Sequence, residues 1–168
     1  MDRVRRRTTW DQIPPRRSRW FLDSNCFGSA GGFSKEDIEV IHELRRLAED
    51  ESWSRFDIVI PGICHAEIQK GPKEARALAA NFLMTVSTND NQAELIKRLR
   101  LRIAMRGDAK PGKHDADADA FFETAKYCGD IFVTNDARFD RLRGLDGIDV
   151  INPEGAVKAL QTDSWDYE

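Results

Sequence analysis

The sequence has little of what marks secreted, membrane and zinc-finger proteins. Its 168 residues contain no apolar run long enough to cross a bilayer, and no signal-peptide core follows the arginine-rich N-terminus. The three cysteines are far apart and form no CxxC pair, which argues against a disulfide scaffold or a zinc ribbon. Three scattered histidines exclude an HExxH zinc site. We therefore expect a cytoplasmic protein with no membrane partner.

Length and composition are those of one domain with charged ends. The chain is 40% hydrophobic, which is enough to build a single core. Residues 1–20 hold seven arginines and two aspartates, whereas the whole chain has a net charge of -3, so the remainder is acidic. We predict a basic arm over 1–18, a folded domain over 19–160 and an acidic tail over 161–168. The arm is either a contact for a phosphate backbone or a solvated tail.

Segments typical of strands and helices alternate through the folded region. Short apolar strands are predicted at 19–25, 56–61, 130–134 and 149–151. Helices are predicted at 34–48, 63–70, 73–85, 90–106, 114–128 and 153–160. Such alternation is typical of α/β proteins, and we predict a three-layer α/β/α sandwich with a mostly parallel central sheet.

Acidic residues from four segments are predicted to meet at one edge of this sheet. Asp23 ends the first strand and Asp136 follows the third, and parallel sheets bind ligands beyond the carboxyl ends of their strands. Helices that run back between strands begin at the same edge, and their first turns supply the remaining acids: Glu67, Asp115, Asp117 and Asp119. Each acid alone is explained as a helix cap or a turn residue, but their joint placement favours a shared site.

Crowded carboxylates repel one another unless a cation neutralises them. Mg²⁺ and Mn²⁺ prefer oxygen ligands, and Mg²⁺ commonly binds phosphate oxygens as well. Such a site lowers the pKa of bound water and orients it for attack on a phosphodiester. The sequence therefore predicts a divalent-metal site that acts on phosphate esters.

Four motifs strengthen this hypothesis. They are Leu22-Asp-Ser-Asn25, the helical Glu67, the segment from Asp119 to Ala125, and Phe132-Val-Thr-Asn-Asp136. Over about residues 20–155 the chain resembles the PIN-domain ribonucleases, and among them the VapC-like toxins of bacterial toxin–antitoxin pairs. The resemblance implies that Asp23, Glu67, Asp119 and Asp136 bind Mg²⁺ or Mn²⁺ and cut RNA, with support from Thr134 and Asn135. It also implies a PIN-like fold and a small antitoxin protein as partner.

The identity of the third acid is open. Spacing to Asp136 favours Asp119, and Asp117 is the alternative. Glu123 lies one helical turn beyond Asp119 and faces the same way. It is either an additional acid beside the site or an exposed helix residue, and we favour the second interpretation.

Basic residues near these motifs are candidates for contacts with RNA. Arg98 and Arg102 fall on one helical face, where a solvated surface is the simpler interpretation for each residue alone. Lys110 and Lys113 lie in a loop that leads into the acidic helix, and we favour this loop.

The main hypothesis is a metal-dependent endoribonuclease of the toxin type, restrained by a partner. The alternatives are an RNA-binding or partner-binding PIN scaffold and a housekeeping nuclease that processes RNA. A metal-dependent phosphatase is a weaker alternative, because Asn25 stands where the D-x-D motif of phosphoaspartate enzymes needs a second acid. Amphipathic helices between residues 73 and 106 are candidates for a homodimer face.

Overall fold

A computed structural model describes residues 18–28, 34–48, 56–86 and 89–161. Nearly all of the predicted basic arm and the acidic tail after residue 161 lie outside these ranges. Within the described ranges, no helix combines the length and the apolarity needed to cross a membrane.

The centre of the domain is a sheet of five parallel strands. They are β1 Ser18–Leu22, β2 Phe56–Ile60, β3 Leu83–Met84, β4 Ile131–Val133 and β5 Asp149–Ile151. Their spatial order is β3-β2-β1-β4-β5. The first strand therefore lies in the middle of the sheet, with β2 and β3 on one side of it and β4 and β5 on the other. This arrangement confirms the predicted α/β fold with a parallel sheet.

Helices cover the sheet. They are α1 Lys35–Ala48, α2 Gly62–Ile68, α3 Lys73–Ala79, α4 Gln92–Arg106, α5 Asp115–Lys126 and α6 Pro153–Gln161. Helix α1 packs against α6, and α4 packs against α5, which also contacts α2. Short 3-10 helices follow β1 at Ser24–Phe27 and β4 at Ala137–Leu142. The result is the predicted three-layer α/β/α sandwich.

Aromatic side chains fill the core on both sides of the central strands. Trp20 and Phe132 are completely buried, and Phe132 packs against the rings of Phe121 and Phe139 at centroid distances of 5.7 and 4.7 Å. Burying a side chain of this size contributes about 1.5–3 kcal/mol to stability. A tightly packed centre holds the carboxyl ends of β1 and β4 in fixed positions.

Local signals explain where the long helices begin. Ser34 accepts a hydrogen bond from the amide of Asp37 at 3.1 Å, as its position before α1 predicts. At α4, Asn91 and Glu94 form a reciprocal capping box in which both hydrogen bonds are 2.8 Å long.

One predicted helix differs from the structure, and another helix has an exposed apolar face. The helix predicted over 73–85 ends at Ala79, and the chain then forms β3. A strand of two residues has no periodicity that a sequence pattern could reveal. The stripe of Leu95, Leu99 and Ile103 on α4 faces solvent, since each side chain is between 49% and 59% exposed, while the opposite face of α4 is buried.

Candidate active site

The sequence-predicted acids lie at the point where the strand order reverses. Strands β1 and β4 are neighbours in the sheet, although the chain leaves them in opposite directions. In open parallel sheets the crevice beyond such a pair of carboxyl ends is the usual position of a ligand site. Asp23 follows β1 directly, and Thr134 to Asp136 follow β4.

Asp23 is a buried carboxylate with a strongly altered acidity. Its backbone amide donates to the carbonyl of Val133 at 2.9 Å, which fixes it beside β4. Its side chain is 3% exposed and accepts hydrogen bonds from the amide of Ser24 and the hydroxyl of Thr134, both at 2.8 Å. Burial, assisted by the negative charge of Asp117, raises the pKa of Asp23 to about 6.

Thr134 connects the two central strand ends. Besides donating to Asp23, its hydroxyl oxygen accepts from the amide of Asp136 and from the Asn25 side-chain amide, both at 3.0 Å. The side-chain Oδ1 of Asn25 in turn accepts from the backbone amide of Asn135 at 3.0 Å. The predicted supporting residues Thr134 and Asn135 therefore hold the loop after β4 against the segment after β1.

Glu67 reaches this region from α2. Its carboxylate accepts a hydrogen bond of 3.3 Å from the hydroxyl of Ser24, the residue next to Asp23. Partial desolvation of this carboxylate, together with the negative charge of Asp117, raises the pKa of Glu67 above its usual value. The negative charge of Asp117 thus acts on both Glu67 and Asp23.

The aspartates near the start of α5 point in different directions. Asp117 lies 3.6 Å from a guanidinium nitrogen of Arg138, and its negative charge reaches both Asp23 and Glu67. Desolvation, opposed by the positive charge of Arg138 and reinforced by the negative charge of Asp136, raises the pKa of Asp117 itself. Asp117 therefore belongs to the same acidic group as the residues from β1, α2 and β4.

Asp119 lies outside that group. Two positions along an α-helix correspond to a rotation of about 200°, so Asp119 points away from Asp117. It accepts two hydrogen bonds from Arg102, at 2.9 and 2.7 Å, and lies 3.2 Å from Arg98. Of the two residues considered for the third acid, the structure brings Asp117 and not Asp119 to the other three. Asp115 lies 3.7 Å from Arg102, on the same side as Asp119.

Asp136 caps the 3-10 helix that follows β4. Its carboxylate accepts hydrogen bonds from the amide of Arg138 at 2.9 Å and from Nε of the same residue at 3.0 Å. The hydrogen bond from the Arg138 side chain lowers the pKa of Asp136. The pKa of Asp136 is therefore lowered, whereas the pKa values of the other three acids of this group are raised.

Glu123 is buried rather than exposed, contrary to the interpretation we favoured from the sequence. Its carboxylate accepts hydrogen bonds from the amide of Gly62 at 2.9 Å and from the hydroxyl of Thr85 at 2.6 Å. Glu123 thus caps the N-terminus of α2 and ties this helix to β3. Gly62 is needed at this junction, because a Cβ there would lie 2.8 Å from the Thr85 carbonyl oxygen.

The predicted RNA contacts fall into two groups. Arg98 donates to Asp90 at 2.8 Å and lies over the ring of Phe122 at 4.3 Å, and Arg102 is paired with Asp119. These two arginines are engaged in contacts within the protein. Lys110 and Lys113 are exposed in the loop between α4 and α5, immediately before the acidic first turn of α5.

Sequence reasoning missed several residues of the site. Arg138 and His114 approach the acids and each other, and Ser24 and Asn25 link the segments that carry them. Asn25 lies within the first motif, but its role depends on a partner 109 positions away. Arg138 follows Asp136 by only two positions, so the sequence could have indicated that its side chain reaches that carboxylate.

Cys26 is not placed as a nucleophile. Its thiol is buried and donates to the carbonyl of Val133 at 3.3 Å, and burial raises its pKa well above the usual value. A thiol that resists ionisation is a poor nucleophile.

The donor set fits a hard divalent cation, although the side chains are not already arranged around one. Carboxylate oxygens from four segments are the ligands that Mg²⁺ and Mn²⁺ prefer, and burial, with a smaller contribution from mutual repulsion, raises the pKa of Asp23, Glu67 and Asp117. Among the described residues, no three His, Cys, Asp or Glu side chains are grouped closely enough to hold one metal ion. The guanidinium of Arg138 contacts two of the four acids instead.

Comparison of the chain with known proteins found no relative on which the site could be compared. No protein-family model matches the chain, and no curated protein sequence matches it significantly.

Proposed function

We propose that the protein is a metal-dependent endoribonuclease whose Mg²⁺ or Mn²⁺ is held by Asp23, Glu67, Asp117 and Asp136. The observation that carries this proposal is the convergence of four acids at the β1–β4 switch point, where Asp117 interacts electrostatically with each of the other three. Such a concentration of negative charge destabilises a folded protein unless cations neutralise it, and Arg138 contacts two of the four acids. Binding of a catalytic metal ion would account for the presence of these four acids.

The residues around the acids have defined tasks in this proposal. A bound divalent ion supplies a water molecule of lowered pKa and neutralises charge on the phosphate oxygens. Thr134 orients the Asp23 carboxylate through its hydroxyl, and Asn25 holds the β4 loop that carries Asp136. Supporting contacts of this kind commonly affect metal affinity or activity by 10–100-fold.

Polar side chains line a small cavity beside the acids. A cavity of about 230 Å³ lies next to Asp136, lined by Asn135, Arg143 and Asn152 among others. Asn side chains can donate hydrogen bonds to bases and phosphates, whereas Arg143 is paired with Asp140 and Asp149. In the loop before α5, Lys110 and Lys113 offer exposed positive charge for the phosphate backbone.

The proposal is tested by incubating an end-labelled mixed RNA pool with Mg²⁺, with Mn²⁺ and with EDTA. We expect cleavage that needs the metal and is lost in Asp23→Asn and Asp136→Asn, while circular dichroism shows a retained fold. Wild-type rates in these variants would refute the assignment. Hydrolysis of a chromogenic phosphate ester without any cleavage of RNA would favour the phosphatase alternative.

Two protein partners complete the proposal. A ribonuclease that cuts host RNA needs restraint, so we propose a small antitoxin protein, which would co-purify with the chain from its native cells.

We also propose a homodimer through α4, where Gln92, Leu95, Leu99, Ile103 and Arg106 lie on one face. In an antiparallel pair with Leu99 at the centre, Leu95 meets Ile103 and Gln92 meets Arg106, so this face is complementary to itself.

A further inference from the structure

The side chain of Arg138 lies among the acids and contacts carboxylates from two segments of the chain. Both carboxylate oxygens of Asp136 accept hydrogen bonds of 3.0 Å from its Nε. One terminal nitrogen of the same guanidinium lies 3.6 Å from Asp117, and another contacts the imidazole of His114. One cationic side chain thus joins acids from the β4 loop and from α5.

The charge of Arg138 extends beyond these two contacts. It interacts electrostatically with Asp23 as well, so three of the four proposed metal ligands lie in the field of one guanidinium. A planar cation with several donors is well suited to neutralise grouped carboxylates. The fourth ligand, Glu67, is hydrogen-bonded to Ser24 instead.

The ion pairs of Arg138 lie near the protein surface. The Arg138 side chain is 40% exposed, whereas the carboxylates of Asp136 and Asp117 are 16% and 29% exposed. The guanidinium therefore lies at the mouth of the site and can leave toward solvent without disturbing the core. The acids that it contacts would remain in place.

We propose that Arg138 is a built-in counter-ion that competes with the divalent metal for Asp136 and Asp117 and must be displaced before the metal binds. This inference rests on the proposed function, because it assumes that these acids are metal ligands. It assigns Arg138 a positioning and regulatory role. The competition lowers metal affinity, and it stabilises the metal-free protein against repulsion among its acids.

The test compares Mn²⁺ affinity in the full chain without RNA, using the EPR signal of free Mn²⁺. We expect Arg138→Gln to bind Mn²⁺ about tenfold more tightly than wild type, because one positive charge within 4 Å of the ligands is removed. Arg138→Lys, which keeps the charge, should lie closer to wild type. Arg102→Gln is the matched control, since it removes an arginine that is paired in the same two-bond manner with Asp119, and it should leave the affinity unchanged.

Thermal unfolding provides a second readout. Metal-free Arg138→Gln should unfold at a lower temperature than wild type, and saturating Mn²⁺ should narrow this difference. A difference that stays constant with Mn²⁺ would indicate an ordinary surface ion pair and would overturn the inference.

The outcomes separate this inference from the nuclease proposal. Mn²⁺ binding that Asp23→Asn abolishes, together with equal or weaker affinity in Arg138→Gln, would overturn the role of Arg138 alone. Failure of wild type and all variants to bind Mn²⁺ would overturn both proposals.

Discussion

Asp117 and Asp119 show how two identical residues on one helical turn acquire different roles. Asp117 faces other carboxylates, whereas both oxygens of Asp119 accept hydrogen bonds from Arg102. The sequence spacing favoured Asp119 because the start of the helix and the distance to Asp136 were both approximate. The packing of Ala118 and Phe121 into the core sets the rotation of α5 and so distinguishes the two acids.

The paired variants Asp117→Asn and Asp119→Asn test this distinction. We expect Asp117→Asn to reduce RNA cleavage by more than about 100-fold, because it removes a proposed metal ligand. Asp119→Asn should retain most of the cleavage and lose about 1 kcal/mol of stability, since its ion pair is partly exposed. Cleavage is measured on the labelled RNA pool and stability by urea unfolding. The reverse pattern of activities would show that Asp119 is the ligand.

The buried carboxylate of Asp23 predicts a pH dependence of stability in the metal-free protein. The folded protein keeps the Asp23 proton up to about pH 6, while the unfolded chain releases it near pH 3.8. Stability should therefore fall between these values as the pH rises, by up to about 3 kcal/mol, and remain low above pH 6.

Urea unfolding in EDTA between pH 4 and 8 measures this effect. Asp23→Asn should reduce the decline, of which Glu67 and Asp117 supply the remainder, whereas the control Asp119→Asn should keep it in full. Parallel pH curves for wild type and Asp23→Asn would show that Asp23 ionises normally. Mn²⁺ at pH 7 should raise the stability of wild type and have little effect on Asp23→Asn.

At the scale of elements, α2 depends on a carboxylate from another helix. Glu123 accepts hydrogen bonds from Gly62 at the start of α2 and from Thr85 after β3. It thereby fixes the helix that presents Glu67 to the site. A buried acid in α5 thus positions an acid of α2.

Glu123→Ala should therefore lower both stability and activity. Leaving the Gly62 amide and the Thr85 hydroxyl without this acceptor costs about 1–3 kcal/mol, which denaturant unfolding can measure. Cleavage should fall because Glu67 is no longer held in place. Glu94→Ala, which removes half of the capping box of α4, is a control that should cost about 1 kcal/mol with activity retained. Equal activity losses in the two variants would contradict a specific role for α2.

Strong local patterns account for what the sequence could predict. The strand from Phe56 to Ile60, the helix start at Ser34 and the acids after β1 and β4 follow from apolar runs, caps and strand ends, and the structure agrees. Long-range contacts account for the rest. The burial of Glu123 depends on Thr85, and the link from Asn25 to Thr134 depends on pairing of β1 with β4. No short window of sequence contains such information.

The apolar stripe of α4 illustrates the same limit on a larger scale. Leu95, Leu99 and Ile103 have the four-residue spacing of a core-facing helix, yet they face solvent. Helical periodicity shows that a helix has an apolar face, but it does not reveal whether this face packs on its own core or on a second chain.

At the scale of the whole molecule, this stripe predicts self-association. Wild type should behave as a dimer in light scattering, and Leu99→Glu should shift it to the monomer by placing two carboxylates at the centre of the contact. Leu145→Glu is the matched control, because Leu145 is 42% exposed and lies outside α4. A wild-type monomer at all accessible concentrations, or a dimer that Leu99→Glu leaves intact, would refute the proposed interface.

The order of strands in the sheet has a consequence for biosynthesis. β1 is made first and lies at the centre, but its neighbour β4 comes from a segment about 111 positions later. A nascent chain leaving the ribosome therefore displays Asp23, Glu67 and Asp117 before β4 exists to complete the centre of the sheet. The fourth acid, Asp136, arrives just after that strand. Translation products that stop before β4 would thus lack both the completed sheet and Asp136, and the proposed nuclease could not act on RNA until that segment had been made.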